Sequence, residues 1–329
     1  MNIKAFRIAV LAATVSAISA SGHSIAAPAP APNAAVAAVA PQSNRFAATI
    51  APAERFEIRG VLVERHGGKG RPLILVPGLA SGSWAWQDAI RAFSPDYTVY
   101  VLTLPGFDGR PAAGPNPLAN ARAAVGELIE SRHLDKPVIV GHSLGGTLAF
   151  AVAEDKPAQV GGVVAIDGLP VMPGTEEMPP AARAQAAQRI QASLARATPE
   201  AFAAQQKAYM RTIGVMDMGK ADDLARLSSR SDPASVAQYA ADDTQLDLRP
   251  GLKTIPAPVL VLVPYFDLDS AAQAGQQQIT ETVKADYYKT LMDGTPRLQV
   301  QTIAPARHFA MIDQPEKVIA AIRAFLKTL

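Results

Sequence analysis

Ser143, His308 and one aspartate from a short set are the side chains here whose types together attack carbonyl carbon and move protons. Ser143 sits in Gly141-His142-Ser143-Leu144-Gly145, preceded by the β-branched run 138–140 and followed by an apolar Ala/Leu/Phe stretch of helical character. Strand, sharp turn and helix, with one hydroxyl at the apex and a glycine two residues to either side, make a nucleophile elbow. The glycines stand where backbones come too close for a Cβ. A hydroxyl is a weak nucleophile, so the site needs a general base, and the base needs an acid that orients it.

The base follows by elimination, because the chain has 5 histidines. His23 lies in the leader or tether described below. His66 sits in a Gly-rich turn, and His133 lies at the foot of the elbow strand, opposite the tip that carries Ser143. His142 adjoins Ser143, and neighbours at a strand end point to opposite sides. His308 remains, in Ala304-Pro-Ala-Arg-His-Phe-Ala310, a loop leaving the carboxyl end of strand 298–303. Ligands bind at that end of an open α/β sheet.

The acid should end another strand between Ser143 and His308. Asp267 and Asp269 follow strand 259–263, and Asp167 follows strand 160–166. Asp267 is chosen on its reach from the strand end, with Asp269 second and Asp167 third. The others would serve as helix caps, and Asp167, before Gly168, suits a turn. Acyl transfer also needs donors for an oxyanion. The backbone N–H of Leu144 is one, and that of Leu79, after Pro77-Gly78, is the other. Trp84 and Trp86 fit a pocket wall or helix packing equally.

The elements that must position these groups alternate. Residues 56–64 alternate as a hairpin edge strand, and 73–76, 97–104, 138–140, 160–166, 258–263 and 297–303 read as further strands. Helical spacing covers 84–93, 116–132, the stretch after the elbow to 153, 273–288 and 315–329. This rhythm predicts an α/β fold: a mostly parallel central sheet with helices on both faces. After the sixth strand the pattern changes. From about 170 to 248 the chain is rich in Ala, Gln, Arg and Met, with helices expected at 181–196, 199–213, 220–227 and 233–242. Its place beside the strand ends makes it a helical cap over the ligand end of the sheet.

The start of the chain has another character. Lys4 and Arg7 precede the apolar run 8–20, and small residues follow. This predicts a secretory signal peptide over 1–27, cleaved after Ala20, Ala26 or Ala27, with the neighbourhood of Ile25 favoured, and hence an exported, periplasmic or secreted protein. The run is shorter than the ~20 apolar residues of a membrane span. Residues 28–50, Ala/Pro-rich at their start, form a tether, and the folded α/β domain covers 51–329.

The 31 basic and 29 acidic residues are scattered, with no run that would track phosphates, so no nucleic-acid partner is expected. With no cysteine, disulfides, thiolate metal sites and a cysteine nucleophile are excluded together. No metal, organic cofactor or stable membrane insertion is expected, and the partner is a small, mainly apolar acyl substrate.

The order Ser143, Asp267, His308 resembles the α/β-hydrolase fold superfamily. So do Leu75-Val-Pro-Gly-Leu79, Leu104-Pro-Gly-Phe107, Val140-Gly-His-Ser-Leu-Gly-Gly146 and Arg307-His308-Phe309. The likeness covers about residues 55–329. That family commonly has His-Gly where this chain has Pro77-Gly78, and often Gly in place of Pro264; the first departure leaves the Leu79 amide in position. The resemblance implies a serine hydrolase working through an acyl-enzyme, a carboxylic ester being the first candidate substrate. The same constellation supports acyl transfer, cofactor-free C–C cleavage as in a lyase, or perhydrolysis. A non-catalytic binding protein would not need both the elbow and His308. A dinucleotide module would need the G-x-G-x-x-G spacing that residues 141–146 lack.

Overall fold

The computed structural model describes residues 44–269 and 279–329. The signal-peptide assignment therefore lies outside the described residues. Eight strands run in the order β1-β2-β4-β3-β5-β6-β7-β8. They are β1 (Glu54–Ile58), β2 (Val61–His66), β3 (Pro72–Val76), β4 (Thr98–Thr103), β5 (Val138–His142), β6 (Gly162–Ile166), β7 (Val259–Pro264) and β8 (Leu298–Ile303). The expected edge strand over 56–64 is in fact two, β1 and β2, paired antiparallel with Ile58 opposite Val61. A turn at Arg59-Gly60, both at positive φ, separates them. β2 is antiparallel to β4, and every later pairing is parallel.

The central strands are apolar throughout because both faces are covered. Alternate residues feed two cores: Ile74, Val76, Ile139, Val163 and Val261 pack on one side. Leu73, Leu75, Val138, Val140, Val164 and Leu262 pack on the other. At the sheet's edge, β1 alternates half-buried with exposed residues up to the buried Ile58, as expected for a strand with one covered face.

The helices flanking the sheet are α1 (Gln87–Phe93), α2 (Pro117–Ser131), α3 (Leu144–Asp155), α8 (Glu281–Leu291) and α9 (Pro315–Leu326). Trp84 and Trp86 lie in a 3₁₀ turn, Ser83–Trp86, before α1. Both are about 1% exposed in the core and are absent from the lining of the cavity that holds Ser143, and Trp84 stacks on Phe309 with centroids 6.1 Å apart. Helix packing, not pocket lining, is their role.

Between β6 and β7 come α4 (Pro180–Leu194), α5 (Pro199–Tyr209), α6 (Met218–Ser228) and α7 (Pro233–Gln245). The two ends of this insertion meet in an isolated antiparallel bridge between Val171 and Asp247, and Leu248 N–H donates to Pro170 C=O at 2.8 Å. The helix expected over 199–213 gives way at Met210 to a π turn, Met210–Gly214. That turn leaves carbonyls free to tie the cap to the sheet: His308 N–H donates to Ile213 C=O at 3.1 Å and Phe309 N–H to Gly214 C=O at 2.9 Å. Within the stretch read as a tether, residues 44–50 are held by the fold. Asn44 Nδ2 donates to Asp223 C=O at 2.7 Å, Arg45 pairs with the Asp223 carboxylate at 2.5 Å, and Thr49 N–H donates to Gln87 Oε1 at 3.1 Å.

Candidate active site

Ser143 occupies the turn between β5 and α3 at φ 53° and ψ −122°, a backbone region that costs a non-glycine residue energy and persists only where its surroundings enforce it. Here the enforcement is visible. Ser143 N–H donates to Ile166 C=O at 2.9 Å, and Ser143 C=O accepts from Gly146 N–H at 2.7 Å. The flanking glycines are sterically required. A Cβ on Gly141 would lie 2.0 Å from Gly145 O, and one on Gly145 would lie 2.2 Å from Val76 O. The motif's spacing is thus the footprint of three backbones in contact.

Ser143 and His308 line the same cavity, of about 690 Å³, between the strand ends and the cap. Leu79 and Leu144 also line it. Leu144 opens α3, so its N–H has no carbonyl one turn back. Among the described residues neither that N–H nor the Leu79 N–H has an acceptor.

The acid at His308 is Asp167. His308 Nδ1 lies 2.5 Å from Asp167 Oδ2, and the Tyr288 hydroxyl donates to Oδ1. Asp267, the expected partner, is exposed in a helical turn beyond β7, and among the described residues no hydrogen bond or ion pair joins it to His308. Asp269 is engaged elsewhere, in a bidentate pair with Arg307 at 2.6 Å on both arms. The reason is geometric. β6 lies directly between β5 and β7, so the residue following it sits beside Ser143, while the helical turn beyond β7 leaves Asp267 exposed. Asp167 has φ 50°, so the turn expected at Asp167-Gly168 is present, and it aims the carboxylate at the imidazole.

Charge around Asp167 favours the ionised acid. Burial pushes its pKa up, but the Lys284 ammonium, the His308 hydrogen bond and charge, and the Tyr288 hydroxyl together hold it below the ordinary carboxylate value. Lys284 Nζ donates to Pro264 C=O at 2.6 Å, and burial lowers its own pKa against the pull of Asp167 and Asp269. A carboxylate at Nδ1 fixes the tautomer with the proton there and leaves Nε2 with its lone pair. Tyr288→Phe is expected to lower kcat about tenfold with little change in KM, the size of one lost charge-assisted hydrogen bond; steady-state kinetics on p-nitrophenyl butyrate checks it.

Sequence reasoning gave no role to His142, Lys284 or Tyr288. His142 is fully buried, its ring centroid 4.5 Å from that of His308 and 4.5 Å from that of Phe309. Its Nε2 lies 3.0 Å from His308 C=O. A carbonyl only accepts, so the proton is on Nε2, and the ring supports the backbone of the His308 loop. Burial, with the nearby His308 second, pushes its pKa down to about 3 from 6.5. The native state therefore holds it neutral, and that preference loses stability as pH falls from 6.5 towards 3. His142→Gln keeps a donor and removes the titration. On going from pH 7 to pH 4.5, the wild type should lose about 2 kcal/mol more stability than this variant, read by urea denaturation at both pH values.

The alpha/beta hydrolase family model matches residues 73–321, and the chain belongs to that family. Over 264 residues it is 26% identical to a biotin biosynthesis bifunctional protein, BioHC, of Cellvibrio japonicus, covering 78% of this chain and 48% of that protein. A pimeloyl-[acyl-carrier protein] methyl ester esterase of Legionella pneumophila is 31% identical over 103 residues, 31% of this chain and 40% of its own length. The chain thus spans less than half the length of these curated relatives. Among solved structures, a thermophilic esterase from Thermogutta terrifontis superposes with a TM-score of 0.67 at 20% identity, covering 84% of this chain and 99% of that one. MenH from S. aureus gives 0.64 at 17% identity, covering 81% and 98%. These two likenesses concern the fold. Among the described residues no helix is long and apolar enough to cross a membrane, and no cluster of His, Asp or Glu is placed to hold a metal ion.

Proposed function

We propose that this protein is a serine hydrolase that cleaves a carboxylic ester of a small to medium, mainly apolar acyl group through an acyl-enzyme. The observation that carries this reading is the 2.5 Å contact between His308 Nδ1 and Asp167 Oδ2, beside a strained Ser143 on one cavity wall. His308 Nε2 takes the Ser143 Oγ proton as Oγ bonds to the carbonyl carbon, and Asp167 stabilises the imidazolium that forms. The Leu79 and Leu144 N–H groups receive the charge on the carbonyl oxygen, a contribution of about 3–4 kcal/mol per donor. Collapse returns the His308 proton to the departing alcohol. Water, deprotonated by His308, then attacks the acyl carbon and restores Ser143.

The cavity wall is largely apolar, with Leu169, Met172, Met178, Ile190, Leu194 and Ile213 among its lining, which suits an alkyl chain. Curated relatives described as methyl ester esterases support an ester over an amide. The test is turnover of p-nitrophenyl esters from acetate to dodecanoate. Release of p-nitrophenol with an optimum at short to medium length supports the reading; no release at any length by the folded protein sinks it. Export through residues 1–27 belongs to the same proposal, and recovery of a chain shortened by that leader from a periplasmic or culture fraction checks it.

A further inference from the structure

The cavity has one acidic group outside the triad whose surroundings define what it binds. Asp242 and Asp243 adjoin each other in the last turn of α7 but serve different purposes. Asp242 belongs to the framework: Oδ2 accepts from Leu118 N–H at 3.3 Å and Oδ1 from Gln238 Nε2 at 2.8 Å. Asp243 faces the cavity, on the helix stripe that also brings Val236 and Ala240 to it. Thr147 of α3 lines the same wall, and among the described residues no cation pairs with Asp243.

The hydrogen-bond roles follow from counting protons. The Thr147 hydroxyl has one, and it goes to Leu169 C=O at 2.9 Å. Towards Asp243, Thr147 therefore presents lone pairs. Burial, with the Asp242 charge adding and Thr147 opposing, pushes the Asp243 carboxyl up to about 7, so its protonated and ionised forms coexist at neutral pH, and the protonated form uses one oxygen for its proton. The second carboxyl oxygen then remains an acceptor, and it is an acceptor in the ionised form as well. Gln205 Oε1, on another helix lining this cavity, is also buried and has no partner among the described residues. Asp243 and Gln205 thus offer this wall of the cavity two acceptors in a largely apolar surround.

We infer that Asp243 is a specificity-determining residue that accepts a hydrogen bond from a hydroxyl of the substrate. The distance is set by α3. Thr147 follows Ser143 by one turn, about 6 Å along the helix axis, so the hydroxyl lies on the same side of the cavity as the scissile carbonyl. This deepens the hydrolase reading and rests on the same site, and it commits the natural substrate to a hydroxylated ester over a plain alkyl one.

Equilibrium binding to the Ser143→Ala protein tests it without chemistry. Two matched pairs distinguish the side of the ester that carries the hydroxyl: methyl 3-hydroxyhexanoate against methyl hexanoate, and 2-hydroxyethyl hexanoate against propyl hexanoate. The expected result is that the hydroxylated member of one pair binds at least tenfold tighter. The preference should vanish in Ser143→Ala/Asp243→Leu and survive in Ser143→Ala/Asp243→Asn, whose amide can donate to Thr147 and still offer a carbonyl oxygen. Equal binding within both pairs overturns the inference in the single variant alone, whether or not the Leu variant folds; so does a preference that persists with Leu. Failure of the hydrolase reading shows separately, as native protein that consumes none of the four esters.

Discussion

Replacing His308 by alanine is expected to lower kcat for ester hydrolysis about a millionfold. The loss is this large because the base acts in both halves of the reaction: it takes the Ser143 proton, protonates the departing alcohol and later activates water. Removing either the base or the nucleophile of such a unit costs nearly as much as removing the whole unit. What remains would come from the two backbone donors and the cavity. The KM should change little, because His308 contributes to proton transfer more than to holding the acyl chain. Circular dichroism separates this from unfolding, since the His308 backbone, which donates to Ile213 C=O at 3.1 Å and accepts from His142 Nε2 at 3.0 Å, is unchanged by the substitution.

Asp167→Asn is expected to lower kcat about 10⁴-fold, whereas Asp267→Asn should stay within about twofold of the wild type, the small effect of an exposed surface site. An amide at 167 presents either its N–H₂ or its carbonyl oxygen to His308 Nδ1. The N–H₂ drives the proton to Nε2 and removes the lone pair that Ser143 needs. The carbonyl keeps the tautomer but loses the charge that stabilises imidazolium. Asp269→Asn should fall between the two. It weakens the pair with Arg307, whose guanidinium also donates to Arg211 C=O at 2.9 Å and Val215 C=O at 3.0 Å, so it loosens the seat of the neighbouring His308 without touching the imidazole. Measuring kcat for all three variants on one ester checks the order.

These two cases mark what was legible in the sequence. The elbow could be read because its glycine spacing reflects backbone contacts local to one strand and helix. His308 could be read because few histidines competed and only one followed a strand at the correct end. The acid depended on a non-local fact: which of two neighbouring strand ends lies within reach of the His308 loop. Both carry an aspartate just beyond an apolar run. Asp167 carried the better signal, since it follows its strand directly, as Ser143 follows β5, while Asp267 stands three residues beyond Pro264. The turn read at Asp167-Gly168 is present, and it does not exclude a contact with the base: the positive φ at Asp167 brings its carboxylate to His308.

The fold itself was more legible than its joints. Apolar runs located the parallel strands because both faces of the sheet are covered, and the pause in strands after β6 located the helical insertion. What the pattern did not contain was how the insertion attaches. The π turn at Met210–Gly214 sits where helical spacing continues unbroken, and it forms because its carbonyls have partners on the His308 loop. The roles of Tyr288 and Lys284 were hidden for a similar reason. α8 packs beside β7 and β8, and only the assembled sheet brings their polar ends to Asp167.

The most direct test of the account is covalent labelling of the native protein with a fluorophosphonate, followed by peptide mapping. An activated serine is the one hydroxyl that such a reagent modifies rapidly at neutral pH. The account predicts one adduct, on the peptide carrying Ser143, abolished in Ser143→Ala and His308→Ala, strongly slowed in Asp167→Asn and retained in Asp267→Asn. A folded native protein that takes no label, or takes it at another residue, would contradict it.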